Sequence, residues 1–191
     1  MLPSEMPSEE SVYRARTRTA SHLLYLDFDG VLHHEEVYVS PKRGIYISER
    51  HAPGATLFEW APLLVDALAP HPHVRIVLST SWCRQPGYGR ALRRLPLELQ
   101  RRAIGGTFHR RVHGADPLLL QSFVGTPRGL QILADVRRRR PLDWISLDDD
   151  VDGWPVEHLG NLVACDGALG LSCPDTLARL KARLAGMPPA G

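Results

Sequence analysis

The chain carries the segment Leu24-Tyr25-Leu26-Asp27-Phe28-Asp29-Gly30-Val31-Leu32. Its apolar first part predicts a buried β-strand, and two carboxylates one residue apart follow at the carboxyl end of that strand. Two acids in such a place repel each other unless a cation neutralises them, and the glycine allows the chain to turn sharply. The pattern indicates a metal-assisted catalytic site, although Asp and Gly are also common where an ordinary strand meets a turn.

Two later segments repeat the arrangement of an apolar strand that ends in polar side chains. Residues 74–82 read Val-Arg-Ile-Val-Leu-Ser-Thr-Ser-Trp, and residues 144–150 read Trp-Ile-Ser-Leu-Asp-Asp-Asp. Open parallel sheets bind ligands at the carboxyl edge of their strands. We therefore expect the hydroxyls of the second segment and the acids of the third to lie near Asp27 and Asp29.

The motifs and their order resemble those of the haloacid dehalogenase (HAD) superfamily of phosphohydrolases. Within it the chain looks most like the small HAD domains associated with bacterial RNA-repair proteins, over roughly residues 22 to 185. The points of resemblance are Leu26 to Leu32, Thr80-Ser81-Trp82, Asp148-Asp149 and Gly170-Leu171-Ser172. The resemblance implies that Asp27 attacks phosphorus and that Asp29 is the general acid and base. An ionised carboxylate suits the first role because it needs no base to activate it.

The resemblance also implies a set of groups that bind the phosphate of the substrate. Thr80 is the preferred hydroxyl, with Ser81 beside it. Ser79 is the alternative if the strand is shifted by one residue, and Ser81 could equally cap the next helix. Arg128, which opens an apolar-faced helical segment, is the candidate cation, since a cation at a helix start works against the helix dipole. The alternative for Arg128 is a solvated surface side chain.

The implied cofactor is Mg²⁺, held by Asp27, by Asp29 through its backbone carbonyl, and by Asp148 or Asp149. Magnesium prefers oxygen ligands, which carboxylates at neighbouring strand ends can supply. The acids from 148 to 152, followed by a glycine, also fit the start of a calcium-binding EF-hand loop. That loop needs Glu at its twelfth position, where this chain has Leu159, so the calcium loop is disfavoured.

The fold predicted from these patterns is α/β. The resemblance implies a three-layer, Rossmann-like HAD fold with a mainly parallel sheet and helices on both faces. Residues 36–47 alternate around a Pro/Gly turn, which predicts a short β-hairpin flap, and the distances between motifs leave room for a small cap or none. We expect a flexible tail at residues 1–20, a hydrolase domain at 21–186 and a frayed end at 187–191.

Composition narrows the functional classes. The 191 residues carry a formal net charge of +2, with no apolar run long enough to span a membrane and no secretory signal. Three cysteines without metal-type spacing predict reduced thiols and a cytoplasmic location. Residues 84–140 contain thirteen arginines and only three acidic residues. The arginines suit contact with phosphate or nucleic acid, or they are solvated helix surface.

Taken together, these features predict a magnesium-dependent phosphomonoesterase that works through an aspartyl-phosphate. Its substrate would be a nucleotide or a polynucleotide end, with no membrane and no obligate protein partner. The alternatives are a catalytically weak module that binds metal and RNA in an RNA-repair system, and a phosphatase of small metabolites. His33 and His34 are candidates for substrate contact, although histidines in turns are usually solvated.

Overall fold

A parallel β-sheet forms the centre of the fold. The computed structural model describes residues 22–189, so the predicted tail at 1–20 lies outside the described residues. The strands are β1 (His22–Leu26), β2 (Val37–Ser40), β3 (Gly44–Ile47), β4 (Val74–Leu78), β5 (Ala103–Gly106), β6 (Asp143–Asp148) and β7 (Leu162–Ala164). Five of them pair in the order β5-β4-β1-β6-β7, all parallel. The other two form an antiparallel hairpin, which is the predicted flap.

Helices cover both faces of the sheet. They are α1 (Ala61–Leu68), α2 (Tyr88–Leu92), α3 (Leu97–Gln100), α4 (Arg110–His113), α5 (Pro117–Gly125), α6 (Arg128–Arg139) and α7 (Pro174–Ala185). Successive strand residues point to opposite faces. Leu24 and Leu26 therefore share one apolar core with α1 and α7, while Leu23 and Tyr25 share the other with α6. This arrangement confirms the predicted three-layer α/β fold.

A buried network attaches α6 to the central strand. Asp135 of α6 accepts hydrogen bonds from the Tyr25 hydroxyl of β1 (3.0 Å), from Arg138 and from Arg139. Burial opposes the charge of Asp135, but the nearby His109 and the two guanidinium groups lower the pKa of Asp135 to about 2. The network fixes α6, whose first residue belongs to the candidate site, against β1.

The segment between β4 and α6 differs in detail from the sequence prediction. Strand β4 ends at Leu78, so all three hydroxyl residues of the 74–82 segment follow the strand. Residues 105–127 contain the end of strand β5, a four-residue helix and a nine-residue helix, none of which the motifs predict. The Ala-Ile-Gly-Gly sequence of β5 has weak strand propensity, and its pairing with β4 makes it a strand. These short elements agree with a small cap or none.

The described part of the chain also reaches past the predicted domain end at residue 186. Met187 is buried, and its backbone carbonyl lies 2.6 Å from His73 Nε2. Met187 is therefore packed against the domain. Within residues 22–189, no helix combines the length and apolar character needed to cross a membrane.

Candidate active site

Three carboxylates meet at the carboxyl edge of the sheet. Because β1 and β6 pair in register, with Leu26 opposite Leu147, the next residues, Asp27 and Asp148, leave the strands side by side. One carboxylate oxygen from each of Asp27, Asp148 and Asp149 lies within 4.8 Å of the others. Asp27 and Asp148 are buried, and Asp149 is half-buried. The sheet thus concentrates negative charge in a place that water reaches poorly.

Arg128 supplies a positive charge to this cluster. It is the first residue of α6, and its side chain is 15% exposed. Its Nη2 lies 3.4 Å from Asp27 Oδ2 and its Nε lies 3.9 Å from Asp148 Oδ2. The carboxylates therefore explain why a cation is tolerated at a helix start, where the dipole opposes it.

Arg128 does not fully neutralise the negative charge of the three carboxylates. Burial, opposed by Arg128, raises the pKa of Asp27. Burial and the charge of Asp27 raise the pKa of Asp148 well above its usual value and that of Asp149 to about 7. Among the described residues, Asp148 Oδ2 is buried without a hydrogen-bond partner. Three ionised carboxylates and one guanidinium leave two negative charges, so this donor set fits one divalent cation that prefers oxygen.

The hydroxyl segment after β4 adjoins the same carboxylate. The Thr80 hydroxyl lies close enough to Asp27 to lower the pKa of that carboxylate, and Thr80 Oγ1 accepts a hydrogen bond from the backbone N–H of Trp82 (3.3 Å). Ser79 is buried as well, and its hydroxyl has no partner within residues 22–189. Ser81 is exposed. Of these hydroxyl residues, Thr80 is the one whose interaction lowers the pKa of Asp27.

The Asp29 carboxylate is not part of the three-carboxylate cluster and has its own partners. Trp82 Nε1 donates to both of its oxygens, at 2.9 and 3.2 Å, and His33 Nε2 lies 3.0 Å from Oδ1. His33 is fully buried, contrary to the expectation of a solvated turn histidine. Sequence reasoning missed both partners, because residues four and 53 positions away meet Asp29 only in the folded chain.

Aromatic rings enclose these partners. Phe58 lies 4.8 Å from His33 and 5.4 Å from Trp82, measured between ring centroids, and also packs edge-on against Phe28 at 5.2 Å. Its backbone φ is +64°, a left-handed conformation that is costly for a bulky residue. The surrounding packing holds Phe58 in that conformation, and the rings together restrict the movement of the groups that bind Asp29.

Gly30 is required by the site as well as by the turn. Its φ is +65°, and a Cβ at this position would lie 2.2 Å from Asp149 Oδ2. No real contact is that short, so the missing side chain lets Asp149 approach the backbone that follows Asp29. The sequence pattern had explained this glycine through the turn alone.

Comparison with known proteins identifies the family of the domain. A sequence profile described as the HAD domain in Swiss Army Knife RNA repair proteins matches residues 23–176. The chain belongs to this family. No curated protein and no solved structure gave a significant match. The resemblance inferred from the motifs is thereby confirmed at the level of the family.

A cavity of about 460 Å³ opens beside the carboxylates of this HAD domain. Thr80, Ser81 and Arg128, the predicted phosphate-binding residues, all line this cavity. Phe108 and Phe123 contribute apolar surface, and Arg84 adds a further positive charge. The volume lies within the range of small-molecule sites. The cavity adjoins Asp27 through Arg128, which lines the cavity and lies 3.4 Å from the Asp27 carboxylate.

Proposed function

We propose that the protein is a magnesium-dependent phosphomonoesterase that removes phosphate from nucleotides or from polynucleotide ends. One observation supports this most directly. Asp27 is buried between Arg128, the Thr80 hydroxyl and two further carboxylates, and a cavity opens beside it. A strand-end carboxylate in that setting suits nucleophilic attack on phosphorus.

The residues that would hold Mg²⁺ are Asp27, Asp148 and Asp149, together with the backbone carbonyl of Asp29. The unpartnered Asp148 oxygen and the two uncompensated charges support this assignment. When bound, the ion would neutralise negative charge on the phosphoryl group. Arg128, Thr80 and Ser81 would bind the phosphoryl oxygens from the cavity side.

The proposed reaction has two steps that use the same two acids. In the first, an Asp27 oxygen bonds to phosphorus, the bond from phosphorus to the ester oxygen breaks, and protonated Asp29 gives its proton to the leaving oxygen. In the second, Asp29 takes a proton from water, the resulting hydroxide attacks phosphorus, and the aspartyl-phosphate bond breaks to release phosphate and Asp27. Asp29 ends protonated, so the cycle closes.

Trp82 and His33 position Asp29 for both steps. They bind one oxygen jointly, while Trp82 alone reaches the second at 3.2 Å. The Asp29 side chain is 30% exposed, so a substrate oxygen or a water molecule can reach it. This combination of a fixed orientation and open access is what a general acid and base requires.

Replacement of the nucleophile tests the proposal. Asp27→Asn should reduce phosphate release from nucleoside monophosphates and end-phosphorylated oligonucleotides about a thousandfold or more, because an amide cannot attack phosphorus. Asp150→Asn is the matched control, since Asp150 lines the cavity but is not in the carboxylate cluster. Its effect should be much smaller. A folded Asp27→Asn protein with near-wild-type turnover would overturn the mechanism.

The same substrate panel separates the alternatives. If the wild-type protein binds oligonucleotides in a magnesium-dependent manner but hydrolyses nothing, it is a binding module whose catalysis lies elsewhere. If it prefers sugar phosphates to every nucleotide, it is a small-metabolite phosphatase. The buried carboxylates with Arg128 are expected in either case, so turnover is the deciding measurement.

A further inference from the structure

The β2–β3 flap has one face toward the domain and one toward solvent. In its antiparallel register Tyr38 lies opposite Tyr46, and Val37 and Ile45 pack against the main core. Alternation along each strand puts the two tyrosines on the face away from that core. Tyr38 is 41% exposed, so this aromatic face is not explained by burial.

Four planar side chains form a row across this outer face. The ring centroids of His51 and Tyr38 are 6.1 Å apart, those of Tyr38 and Tyr46 are 6.2 Å apart, and the Arg43 guanidinium lies 5.2 Å from the Tyr46 centroid. His51 and Arg43, at the two ends, are exposed. Aromatic rings and guanidinium planes are the groups on which proteins stack the bases of single-stranded nucleic acids.

Hydrogen bonds hold the first rings of the row in place. The Tyr38 hydroxyl donates to Glu36 Oε2 at 2.6 Å, and His51 Nδ1 lies 3.2 Å from both the Glu36 oxygen and the Tyr38 hydroxyl. These bonds fix the ring edges of Tyr38 and His51, and both side chains remain exposed. A surface arranged before binding loses less conformational freedom when a ligand arrives.

The charge at the tip of the flap suits a polyanion. The turn between the strands, Pro41-Lys42-Arg43-Gly44, carries two cations and no acid, and both cations are exposed. The acidic Glu36 lies at the other end of the row, where Tyr38 and His51 bind it. The flap therefore offers stacking surface along its face and positive charge at its tip.

The base of the flap is attached to the candidate site. His33, which binds Asp29, precedes β2 by four residues, and the Glu35 backbone N–H donates to the Gly167 carbonyl (2.9 Å). Five residues of extended chain span at most roughly 18 Å, so Tyr38 lies within that reach of His33. A polynucleotide whose terminal phosphate occupies the site can therefore extend as far as the flap.

We propose that the outer face of the flap, formed by His51, Tyr38, Tyr46 and Arg43, binds a single-stranded polynucleotide by stacking its bases. The strand is the one whose terminal phosphate occupies the site, so this inference rests on the proposed function. Stacking tolerates any base, and the flap therefore confers preference for an oligonucleotide over a mononucleotide without reading sequence.

Binding to a protein that cannot turn over separates this inference from catalysis. The Asp27→Asn protein is titrated against a fluorescently labelled, end-phosphorylated oligonucleotide about eight nucleotides long, a length within the range of single-strand sites. Adding Tyr38→Ala and Tyr46→Ala should weaken binding about five- to 100-fold for each stacked base lost. Adding Tyr38→Phe and Tyr46→Phe instead keeps the rings but removes the Tyr38 hydrogen bonds to Glu36 and His51, and it should weaken binding much less than the alanine variants do. Melting temperatures verify that all variants fold.

Salt dependence distinguishes stacking from charge. The tyrosines carry no charge, so the alanine variants should keep the wild-type slope of log Kd against log salt concentration. Arg43→Gln should reduce that slope by about 0.7, the value for one phosphate contact on a single strand.

Three results would overturn the inference: an unchanged Kd in the alanine variants, an equal loss in the phenylalanine variants, or no oligonucleotide binding by a protein that hydrolyses mononucleotides. Tyrosine-dependent binding by a wild-type protein without any turnover would support the flap surface and refute the phosphomonoesterase.

Discussion

Gly30→Ala should weaken magnesium binding without replacing any of the proposed ligands. An added Cβ would lie 2.2 Å from Asp149 Oδ2 and 2.5 Å from its Cγ, whereas ordinary contacts begin at 3.4 Å. Asp149 must therefore retreat by more than an ångström. Metal sites tolerate deviations of only about 0.2 Å in ligand distance. We expect the magnesium concentration for half-maximal activity to rise about tenfold or more. In other metal sites, mutation of the groups that orient the metal ligands has an effect of this size.

Gly44→Ala is the matched control for this substitution. Gly44 has nearly the same backbone angle, φ +67°, with nothing within 4 Å of an added Cβ. Both variants should lose about 1–2 kcal/mol of folding stability from the left-handed conformation, and only Gly30→Ala should alter the magnesium requirement. Thermal melting measures the first effect, and activity and calorimetric titrations with Mg²⁺ measure the second. Equal magnesium dependence in the two variants would refute the argument that Gly30 makes room for Asp149.

Further predictions concern the ion, the acid and base, and the buried network. Activity should vanish in excess chelator and return with Mg²⁺ but poorly with Ca²⁺, which prefers more ligands at longer distances; full activity in chelator would exclude the metal site. Trp82→Phe removes a hydrogen bond that orients Asp29 and should lower kcat/KM up to about tenfold, and a pH–rate profile of a folded variant checks this. Asp135→Asn should cost about 3–5 kcal/mol of stability by leaving buried charge unpaired. Because the pKa of Asp135 is depressed to about 2, its contribution is present above about pH 4 and is lost as the pH falls toward 2. The difference in Tm between wild type and variant should narrow over that interval and nowhere above it.

The parts of the fold with strong local patterns could be predicted from the sequence. Apolar strands that end in polar residues gave β1, β4 and β6, and parallel pairing then required their ends to meet. This is why Asp27 and Asp148 were expected together, and why the structure brings them within 4.8 Å. Arg128 could be singled out because it conflicts with the helix dipole, and the carboxylates beside it provide the physical reason.

The supports of Asp29 could not be predicted in the same way. Trp82 contacts Asp29 because β4 pairs with β1, and neither segment reveals that contact alone. A histidine after a turn has no periodic signal, so the burial of His33 depends on Phe58 and Trp82 closing around it. Strand β5 was not predicted, because two of its four residues are glycines, which have low strand propensity. It forms a strand because it pairs with β4.

Because the site residues follow strands β1, β4 and β6, the pairing of these strands determines the stage of synthesis at which the site can form. Asp27, Thr80, Arg128 and Asp148 are spread over some 120 positions of the chain, and β1 lies between two strands that follow it in sequence. During synthesis the proposed nucleophile therefore leaves the ribosome long before the acids, the hydroxyl and the cation that surround it. A nascent chain cannot assemble the three-carboxylate cluster until β6 has inserted beside β1, so no partial site is available to capture a metal ion early.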